Sequence, residues 1–272
     1  ASKWDVFMKA KVYDIDGNPV EEVELPDVFK TAYKPEVIKR AVLALQTLRR
    51  QPYGTDVLAG KRTSAHYHGR RRYRFTMMNR EMARMARIHG RSAGFFAWRA
   101  RFVPQAVKGR RAHPPKVEKD WLKKINKKEN ILAIKSAIAA TSNINLVRSR
   151  GHKIDVDIPI ILDDRVEGLR KTKQVRLVLE KIVAADLERC KEAKVRAGKG
   201  KMRGRKYKKN KGPLVIVSKD CELLRAARNI AGVDAVRCED LNAELLAPGA
   251  QAGRLTIFTK AALEKLDKMF VK

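Results

Sequence analysis

The residues that could support acid/base catalysis are carboxylates around one predicted strand. Four of them cluster there: Asp155, Asp157, Asp163 and Asp164. Such a cluster could bind a metal or act on a substrate, but carboxylates at the ends of a strand are more often solvated. The long polar segment of the chain contributes only Asp56 and Glu81. We therefore expect no catalytic site and no enzymatic activity.

A glycine-containing segment superficially resembles a phosphate-binding loop. Five residues separate Gly54 from Gly60 where that motif requires four, and Arg62 stands where Ser or Thr would hold magnesium. The predicted strand-to-helix turn at 217–221 contains no glycine, and no G-x-G-x-x-G sequence opens a predicted helix. We expect no nucleotide site and no cofactor.

Basic residues are concentrated in two segments. The 272-residue chain has a formal net charge of +31, which is far more than solubility requires. From Arg49 to Arg111 there are 17 basic and 2 acidic residues, and from Ala193 to Gly212 there are 10 basic residues and no acidic one. The two segments therefore hold 25 of the 31 excess charges. Concentrated blocks within balanced sequence indicate where a polyanion binds, and nucleic acid is the first choice.

The first basic segment has a composition that suits folded RNA. Its cations are mainly Arg, whose planar guanidinium pairs with phosphate and stacks on bases. We predict RNA contacts from Arg49, Arg50, Lys61, Arg62, Arg70, Arg71, Arg72, Arg74, Arg80, Arg84, Arg87, Arg91, Arg99, Arg101, Lys108, Arg110 and Arg111. We predict stacking on RNA from Tyr53, Tyr67, Tyr73, Phe75, Phe95 and Trp98. The alternative, a disordered basic tail, fits less well because such tails lack aromatic residues and lie at chain ends.

The second basic segment alternates glycine with Lys and Arg. Glycine lets a backbone approach phosphates closely, so this segment is predicted to clamp RNA a second time. The predicted contacts are Lys199, Lys201, Arg203, Arg205, Lys206, Lys208 and Lys209. A flexible solvated linker is the alternative.

Three histidines of the first segment are candidate metal ligands, since imidazole binds Zn²⁺. Yet no carboxylate or cysteine accompanies His66 and His68, and the surrounding arginines would repel a cation. We therefore expect His66, His68 and His89 to face RNA or stack, and we predict no metal.

Other partners and compartments are less consistent with the sequence. No apolar run approaches the ~20 residues that span a bilayer, so we expect no membrane. Three cysteines outside C-x-x-C spacing, Cys190, Cys221 and Cys238, suit a reducing compartment and a cytoplasmic location.

Two alternatives remain open: an RNA-modifying or RNA-cleaving enzyme, and a DNA-packaging protein. Turnover on RNA would favour the first, and a preference for duplex DNA would favour the second.

Hydrophobic periodicity predicts strands and helices that alternate outside the basic segments. The predicted order is a hairpin at 11–16 and 20–25, helix 35–48, helical region 121–141, strand 156–162, helix 171–191, strand 214–217, helix 221–230, strands 235–238 and 255–258, and a helix from Ala261. Pro159 suggests that strand 156–162 is an edge strand or carries a bulge. In the first basic segment only Asn79 to Ile88 has a helical pattern, with Asn79 as its N-cap.

This order predicts an α/β fold: a three-layer Rossmann-like domain with a mostly parallel sheet, plus a long extended internal RNA-binding loop. We expect residues 1–48 and 117–272 to form the globular domain. Residues 49–116 would be an extended basic loop inserted in it, and residues 193–212 a second basic loop within it. A structureless insertion of this length is otherwise abnormal in a compact domain.

Four stretches of the chain resemble a known family. They are Gln51–Asp56 (QPYGTD), Arg101–Lys116 (RFVPQAVKGRRAHPPK), Ala133–Thr141 (AIKSAIAAT) and Gly198–Arg205 (GKGKMRGR). Together they resemble the universal fourth protein of the large ribosomal subunit, and their order suits its archaeal and eukaryotic branch. The chain has no long basic C-terminal extension like that of eukaryotic members, so it is most similar to archaeal ones.

The resemblance implies a ribosomal protein of the cytoplasm with a globular α/β domain on the exterior of the large subunit. Its long loop would lie in large-subunit rRNA, support assembly, and contribute to the wall of the nascent-peptide exit tunnel. Carried over, Gly54–Arg62 and Arg99–Lys116 would be the legs of the loop. The tunnel tip would comprise Gly69, Arg70, Arg71, Arg72, Tyr73 and Arg74. The implied partners are large-subunit rRNA, neighbouring large-subunit ribosomal proteins and the nascent peptide near the loop tip.

Overall fold

The computed structural model describes residues 9–270, apart from the side chain of Ser92. Residues 1–8 and 271–272 of the expected globular domain lie outside the described residues. The chain divides into two compact units: Arg49–Trp121 forms one, and the described residues on either side of it form the other. We call the first the loop unit and the second the α/β unit.

The α/β unit is built on a six-stranded sheet. The strands of the chain are β1 Lys9–Tyr13, β2 Pro19–Glu24, β3 Ile160–Leu162, β4 Ala193–Val195, β5 Tyr207–Lys209, β6 Leu214–Val217, β7 Asp234–Arg237 and β8 Thr256–Thr259. The sheet has the order β2-β1-β3-β8-β6-β7, and every neighbouring pair is parallel except β1 with β2. The predicted α/β class with a mostly parallel sheet is confirmed.

Helices cover both faces of the sheet. They are α1 Pro35–Leu48, α2 Lys127–Thr141, α3 Ile144–Ser149, α4 Thr172–Lys191, α5 Glu222–Ala227, α6 Ala243–Leu246 and α7 Lys260–Phe270. Short 3₁₀ helices lie at Asp27–Lys30, Arg91–Phe96, Asp164–Gly168, Lys199–Arg203, Cys238–Asp240 and Pro248–Ala250. Across residues 9–270, none of the helices combines the length and the apolar character that crossing a bilayer requires.

The three layers follow from alternation along the strands, because successive side chains point to opposite faces of a sheet. Leu214 and Ile216 of β6 pack in one buried cluster with α1, α2, α6 and α7, whereas Val215 and Val217 pack in a second cluster with α4 and α5. Strands covered on both faces read as continuous apolar runs. The run LVIV of β6 is such a strand, with all four residues buried.

The sequence anticipated some elements closely and others poorly. Helix α1 and strand β6 lie where we predicted them, and the hairpin of β1 and β2 exists but lies one to three residues earlier in the chain than predicted. Strand β3 is shorter than predicted, and the suggestion that it lies at an edge is wrong because β1 and β8 flank it. Pro159 precedes the strand, so the missing amide hydrogen removes no bond of the ladder. Helix α2 begins at Lys127, so residues 121–126 are not helical.

The helix predicted at Asn79 to Ile88 is wrong. These residues form turns and bends, and Asn79 has a φ of 58°, whereas the N-cap of an α-helix typically has extended backbone angles. The helical pattern at 79–88 was therefore misleading, because the chain changes direction several times over these residues. The second basic segment also contains more structure than an open loop, since β4 and β5 pair as an antiparallel hairpin around the 3₁₀ turn Lys199–Arg203.

Candidate nucleic-acid interface

The loop unit has almost no core of its own. Among its described side chains, only Met77 and Ala93 are buried. Large apolar side chains are instead open to solvent, and Phe95 is 81% exposed. Exposed aromatic side chains on this scale mark a surface that another molecule covers.

Most predicted RNA-binding cations of the loop unit are exposed. Of the 17 basic residues from Arg49 to Arg111, 14 are exposed and Arg87, Arg101 and Arg110 are half-buried. Arg87 donates to the carbonyl oxygens of Trp98 at 2.8 Å and Ala83 at 3.0 Å. Arg101 donates to the carbonyl oxygens of Ala100 and Val107, each at 3.0 Å. These two guanidiniums therefore stabilise the backbone of the unit. The sequence alone could not tell this role from phosphate binding.

Several predicted cations lie over predicted stacking residues. The guanidinium carbon of Arg74 is 4.9 Å from the ring centre of Phe75, that of Arg80 is 4.5 Å from Trp98, and that of Arg99 is 4.4 Å from Phe95. A guanidinium over an aromatic face is attracted to it and keeps its edge free for phosphate. The sequence-predicted aromatic and basic residues thus form pairs. Tyr67 and Tyr73 are exposed.

Trp121 is a member of this surface that sequence reasoning missed. Its ring stacks on Tyr53, with centroids 5.0 Å apart, and Arg50 and Lys119 lie over it at 4.1 Å and 4.6 Å. These aromatic rings line an open cleft of about 750 Å³ together with Arg111 and other residues. The periodicity had assigned Trp121 to a helix. One signal could have placed Trp121 on this surface. Lys119 and Trp121 interleave a basic with an aromatic residue, as the first basic segment does elsewhere.

The three histidines of the loop unit lie together. The ring centroids of His66, His68 and His89 are 4.2 to 4.5 Å apart. Burial is the largest cause that lowers the pKa of the His89 imidazole below its ordinary value, and electrostatic repulsion from His66 and His68 lowers this pKa further. The ring of Phe75 stacks on His89 at 4.8 Å and nearly parallel to it. The sequence could link His66 with His68 but could not place His89 beside them.

The backbone of the loop unit contains unusual conformations. Seven non-glycine residues in the described part of the chain have positive φ, and six of them lie in this unit: Arg72, Phe75, Asn79, Trp98, Phe102 and Lys108. The left-handed region is costly for a residue with a Cβ atom, and such residues persist only where surrounding contacts hold them. Since this unit buries so little, it has few packed side chains that could do so.

The β4–β5 hairpin presents the second set of predicted cations. All seven of them, from Lys199 to Lys209, are exposed. The base of the hairpin is fixed to the α/β unit, because the Asn210 amide donates to the Arg189 carbonyl at 2.9 Å and Arg189 donates to the Lys211 carbonyl at 2.8 Å. Buried Arg254 donates to the carbonyl of Gly212 at 2.9 Å. A rigid base thus carries an exposed basic hairpin.

Three of the four acidic candidates make contacts within the fold, and the fourth, Asp155, is exposed. Asp157 pairs with Lys11 at 3.1 Å, Asp163 accepts from the Asp164 amide, and Asp164 accepts from the amide of Ala261 at the start of α7. Buried Glu167 accepts hydrogen bonds from Ser218 and Thr259. In the chain from residue 9 to residue 270, the histidine cluster is the one group of three or more His, Cys, Asp or Glu residues with ligand atoms close enough for a metal.

Known proteins resemble this chain over most of its length. The profile of the ribosomal protein L4/L1 family matches residues 23–269. The chain is 50% identical over 266 residues to the large ribosomal subunit protein uL4 of Methanocaldococcus jannaschii, which covers 97% of this chain and 100% of that protein. It is 48% identical to the uL4 of Methanosphaera stadtmanae, over 97% and 98% of the two chains, and 50% identical to that of Archaeoglobus fulgidus, over 96% and 99%. The chain therefore belongs to the ribosomal protein L4/L1 family.

Proposed function

We propose that this chain is a structural component of the large ribosomal subunit that binds large-subunit rRNA through the loop unit and the β4–β5 hairpin. The observation that supports this most is the loop unit's lack of a core, since only Met77 and Ala93 are buried among its described side chains. Ordering a chain costs about 1–2 kcal/mol per residue, and so little burial cannot offset that cost. The order of the unit must therefore come from a partner.

The charge of the loop unit indicates what that partner is. From Arg49 to Arg111 the unit has 17 basic residues and only two carboxylates, so its exposed guanidiniums repel one another until a polyanion neutralises them. Aromatic rings beside the guanidiniums suit unpaired bases, which folded RNA exposes and duplex DNA does not. Neutralisation by phosphates would order the loop as the rRNA folds around it, which is how the protein would support assembly.

The relatives support the same assembly for this chain. Each relative named above is a large ribosomal subunit protein, and the identity extends over nearly the whole of both chains. The family membership makes this chain a ribosomal protein and not an enzyme. It would act in the cytoplasm, within the ribosome, beside neighbouring large-subunit proteins.

The tip of the loop has a finer role in this proposal. Gly69, Arg70, Arg71, Arg72, Tyr73 and Arg74 would contribute to the wall of the nascent-peptide exit tunnel and contact the nascent peptide. In support, all six residues are exposed and the chain turns at 71–72 and 74–75. A photoreactive group at Tyr73 should crosslink to nascent chains stalled on ribosomes that contain this protein. If crosslinks form only to rRNA or to other proteins, the tip does not face the tunnel.

The proposed function is tested by following the protein through ribosome purification. We expect it to co-sediment with large subunits after a high-salt wash, and we expect folded large-subunit rRNA to compete better than duplex DNA for the purified protein. Loss of the protein in the wash, or a preference for duplex DNA, would contradict the proposal and favour a nucleic-acid packaging role.

A further inference from the structure

The histidine cluster is created by backbone pairing. His66 lies opposite Arg87 in an antiparallel bridge, and the Arg87 amide donates to the His66 carbonyl at 3.2 Å. His68 follows His66 by two residues and His89 follows Arg87 by two. The rings of His66, His68 and His89 meet beside this bridge, with centroids 4.2 to 4.5 Å apart, although 21 residues separate His68 from His89 in sequence.

The distances within the cluster suit one metal ion. One ligand nitrogen from each ring lies within 4.8 Å of the other two. In a tetrahedral zinc site with bonds of about 2.0 Å, two nitrogens are about 3.3 Å apart. The nitrogens would therefore have to approach one another by up to about 1.5 Å to bind one ion.

The hydrogen bonds leave the required nitrogens available. His66 Nδ1 lies 3.1 Å from the carbonyl oxygen of Ser64, which can only accept, so the proton resides on Nδ1 and the lone pair on Nε2. The Nε2 atoms of His68 and His89 are buried and have no hydrogen-bond partner within the described residues. A buried polar atom without a partner is uncommon, and a bound ion is one arrangement that would satisfy it.

We propose that His66, His68 and His89 bind one Zn²⁺ ion through their imidazole nitrogens, with a fourth position open to water. Three neutral imidazoles suit a transition metal and do not suit Mg²⁺ or Ca²⁺, which take oxygen ligands. The sequence had argued against a metal because no carboxylate or cysteine lies near His66 and His68. A site of three histidines needs neither. Binding of the ion would itself order the segments that carry the histidines, so the site can form in the chain without RNA and this inference does not rest on the proposed function.

The surroundings of the cluster both support and oppose the ion. The Phe75 ring, stacked on His89, and the Trp98 ring, 6.4 Å from it, limit solvent access and hold the imidazole in place. Arg74 and Arg80 lie over these two rings and repel a dication. Moderate salt reduces that repulsion, since the Debye length falls to about 8 Å at physiological ionic strength. The ion would join the segments that carry the histidines, in a unit with little core.

The test is a titration of the full chain with Zn²⁺ by calorimetry and with Co²⁺ by visible absorption. We expect one equivalent of metal and a tetrahedral Co²⁺ spectrum that Zn²⁺ abolishes. Replacement His89→Ala should weaken zinc affinity at least about tenfold. His113→Ala, an exposed histidine of the same unit, should leave the affinity unchanged. Circular dichroism checks that the variants are folded.

A second replacement separates loss of a ligand from loss of packing. His89→Gln fills much of the space of the ring but is a poor zinc ligand, so its affinity should fall as that of His89→Ala does. The proposal is overturned if the chain binds no stoichiometric metal, if His89→Gln retains full affinity, or if His113→Ala weakens binding equally.

Discussion

Gly60 lies directly against Gly109: a Cβ atom on Gly60 would be 2.6 Å from the Gly109 carbonyl oxygen and 2.6 Å from the Cα atom of Arg110. The two segments also meet where the Thr55 amide donates to the Pro115 carbonyl at 3.1 Å. The two legs that the family resemblance implies are thus in contact. We call this contact between Gly60 and residues 109–110 the neck of the loop.

The neck should not tolerate a side chain. Gly60 has a φ of 73°, and its missing Cβ faces backbone atoms that cannot move aside as a flexible side chain would. Because a strained residue costs about 1 kcal/mol or more, we expect Gly60→Ala to weaken rRNA binding roughly tenfold. Filter binding with large-subunit rRNA measures this. Gly168→Ala is the control, since a Cβ atom there would have no neighbour within 4 Å and the φ of Gly168 is not positive.

The neck also defines a deletion of the loop. The distances place the Cα atoms of Gly60 and Arg110 at most about 4.1 Å apart, close to the 3.8 Å between consecutive residues. Removing residues 61–109 and joining these two should therefore leave the α/β unit folded. We expect cooperative thermal unfolding and a circular dichroism spectrum dominated by the helices of that unit. A variant that is unfolded would show that the loop is part of the folding unit.

The α/β unit should depend strongly on Arg254. Its guanidinium is 1% exposed and donates to Asp234 at 2.6 Å and to the carbonyls of Gly212 and Leu245 at 2.9 and 3.0 Å. Arg254→Met keeps the length but removes the buried donor from these acceptors, and Asp234 retains only Lys211 at 2.9 Å, so we expect the free energy of unfolding to fall by about 3 kcal/mol. Urea denaturation measures this.

The control for Arg254 is a pair in solvent. Arg237, which is 39% exposed, pairs with Asp240 at 2.6 Å. Exposed ion pairs contribute little because water solvates both partners when the pair is broken. Arg237→Met should therefore change the urea midpoint far less than Arg254→Met does. Equal losses would mean that Arg254 is not an organising residue of the α/β unit.

Acid should destabilise the α/β unit through a buried pair. His152 Nδ1 lies 3.0 Å from Asp186, which also accepts from Arg189 at 2.9 Å. Burial lowers the pKa of His152 below its ordinary 6.5, and this outweighs the opposing hydrogen bond to Asp186. Burial alone would raise the pKa of Asp186, but the bonds to His152 and Arg189 outweigh it, so this pKa lies below its ordinary 3.8.

Both shifts act in the same direction. Between the lowered pKa in the folded protein and the ordinary pKa in the unfolded chain, each group binds more protons in the unfolded chain. Stability therefore rises with pH over both ranges. The His152 contribution is fully present above 6.5 and is lost as pH falls through that value to the lower folded pKa. We expect urea midpoints to fall between about pH 7 and pH 5 and to fall less in His152→Gln, which cannot titrate there. His113→Gln serves as the control. If the pH dependence of the urea midpoint weakens equally in this variant, the dependence does not come from His152.

The α/β unit was more predictable from sequence than the loop unit, for a physical reason. The run LVIV of β6 and the apolar face of α1 report burial, and burial leaves a periodic pattern that the sequence shows directly. Strand β3 was harder, because three residues carry little pattern and Pro159 suggested an edge. Its interior position results from pairing with β1 and β8, which no local signal shows.

The loop unit lacks that periodicity because it lacks a core. Composition identified its cations and aromatic residues, but not that Arg87 and Arg101 bind carbonyls of their own chain. The sequence offered His66, His68 and His89 together as candidate ligands, but it could not show that the ring of His89 contacts the other two. Asn79 looked like an N-cap, yet its positive φ excludes that role.

The central claim, that the loop unit carries rRNA binding, is tested most directly by the salt dependence of affinity. The slope of log affinity against log salt is about −0.9 for each phosphate neutralised on a duplex and about −0.7 on a single strand. The measurement compares the full chain with the variant lacking residues 61–109, on the same large-subunit rRNA. We predict a steep slope for the full chain and less than half of it for the variant. Equal slopes and equal affinities would contradict the claim and place the binding surface in the α/β unit.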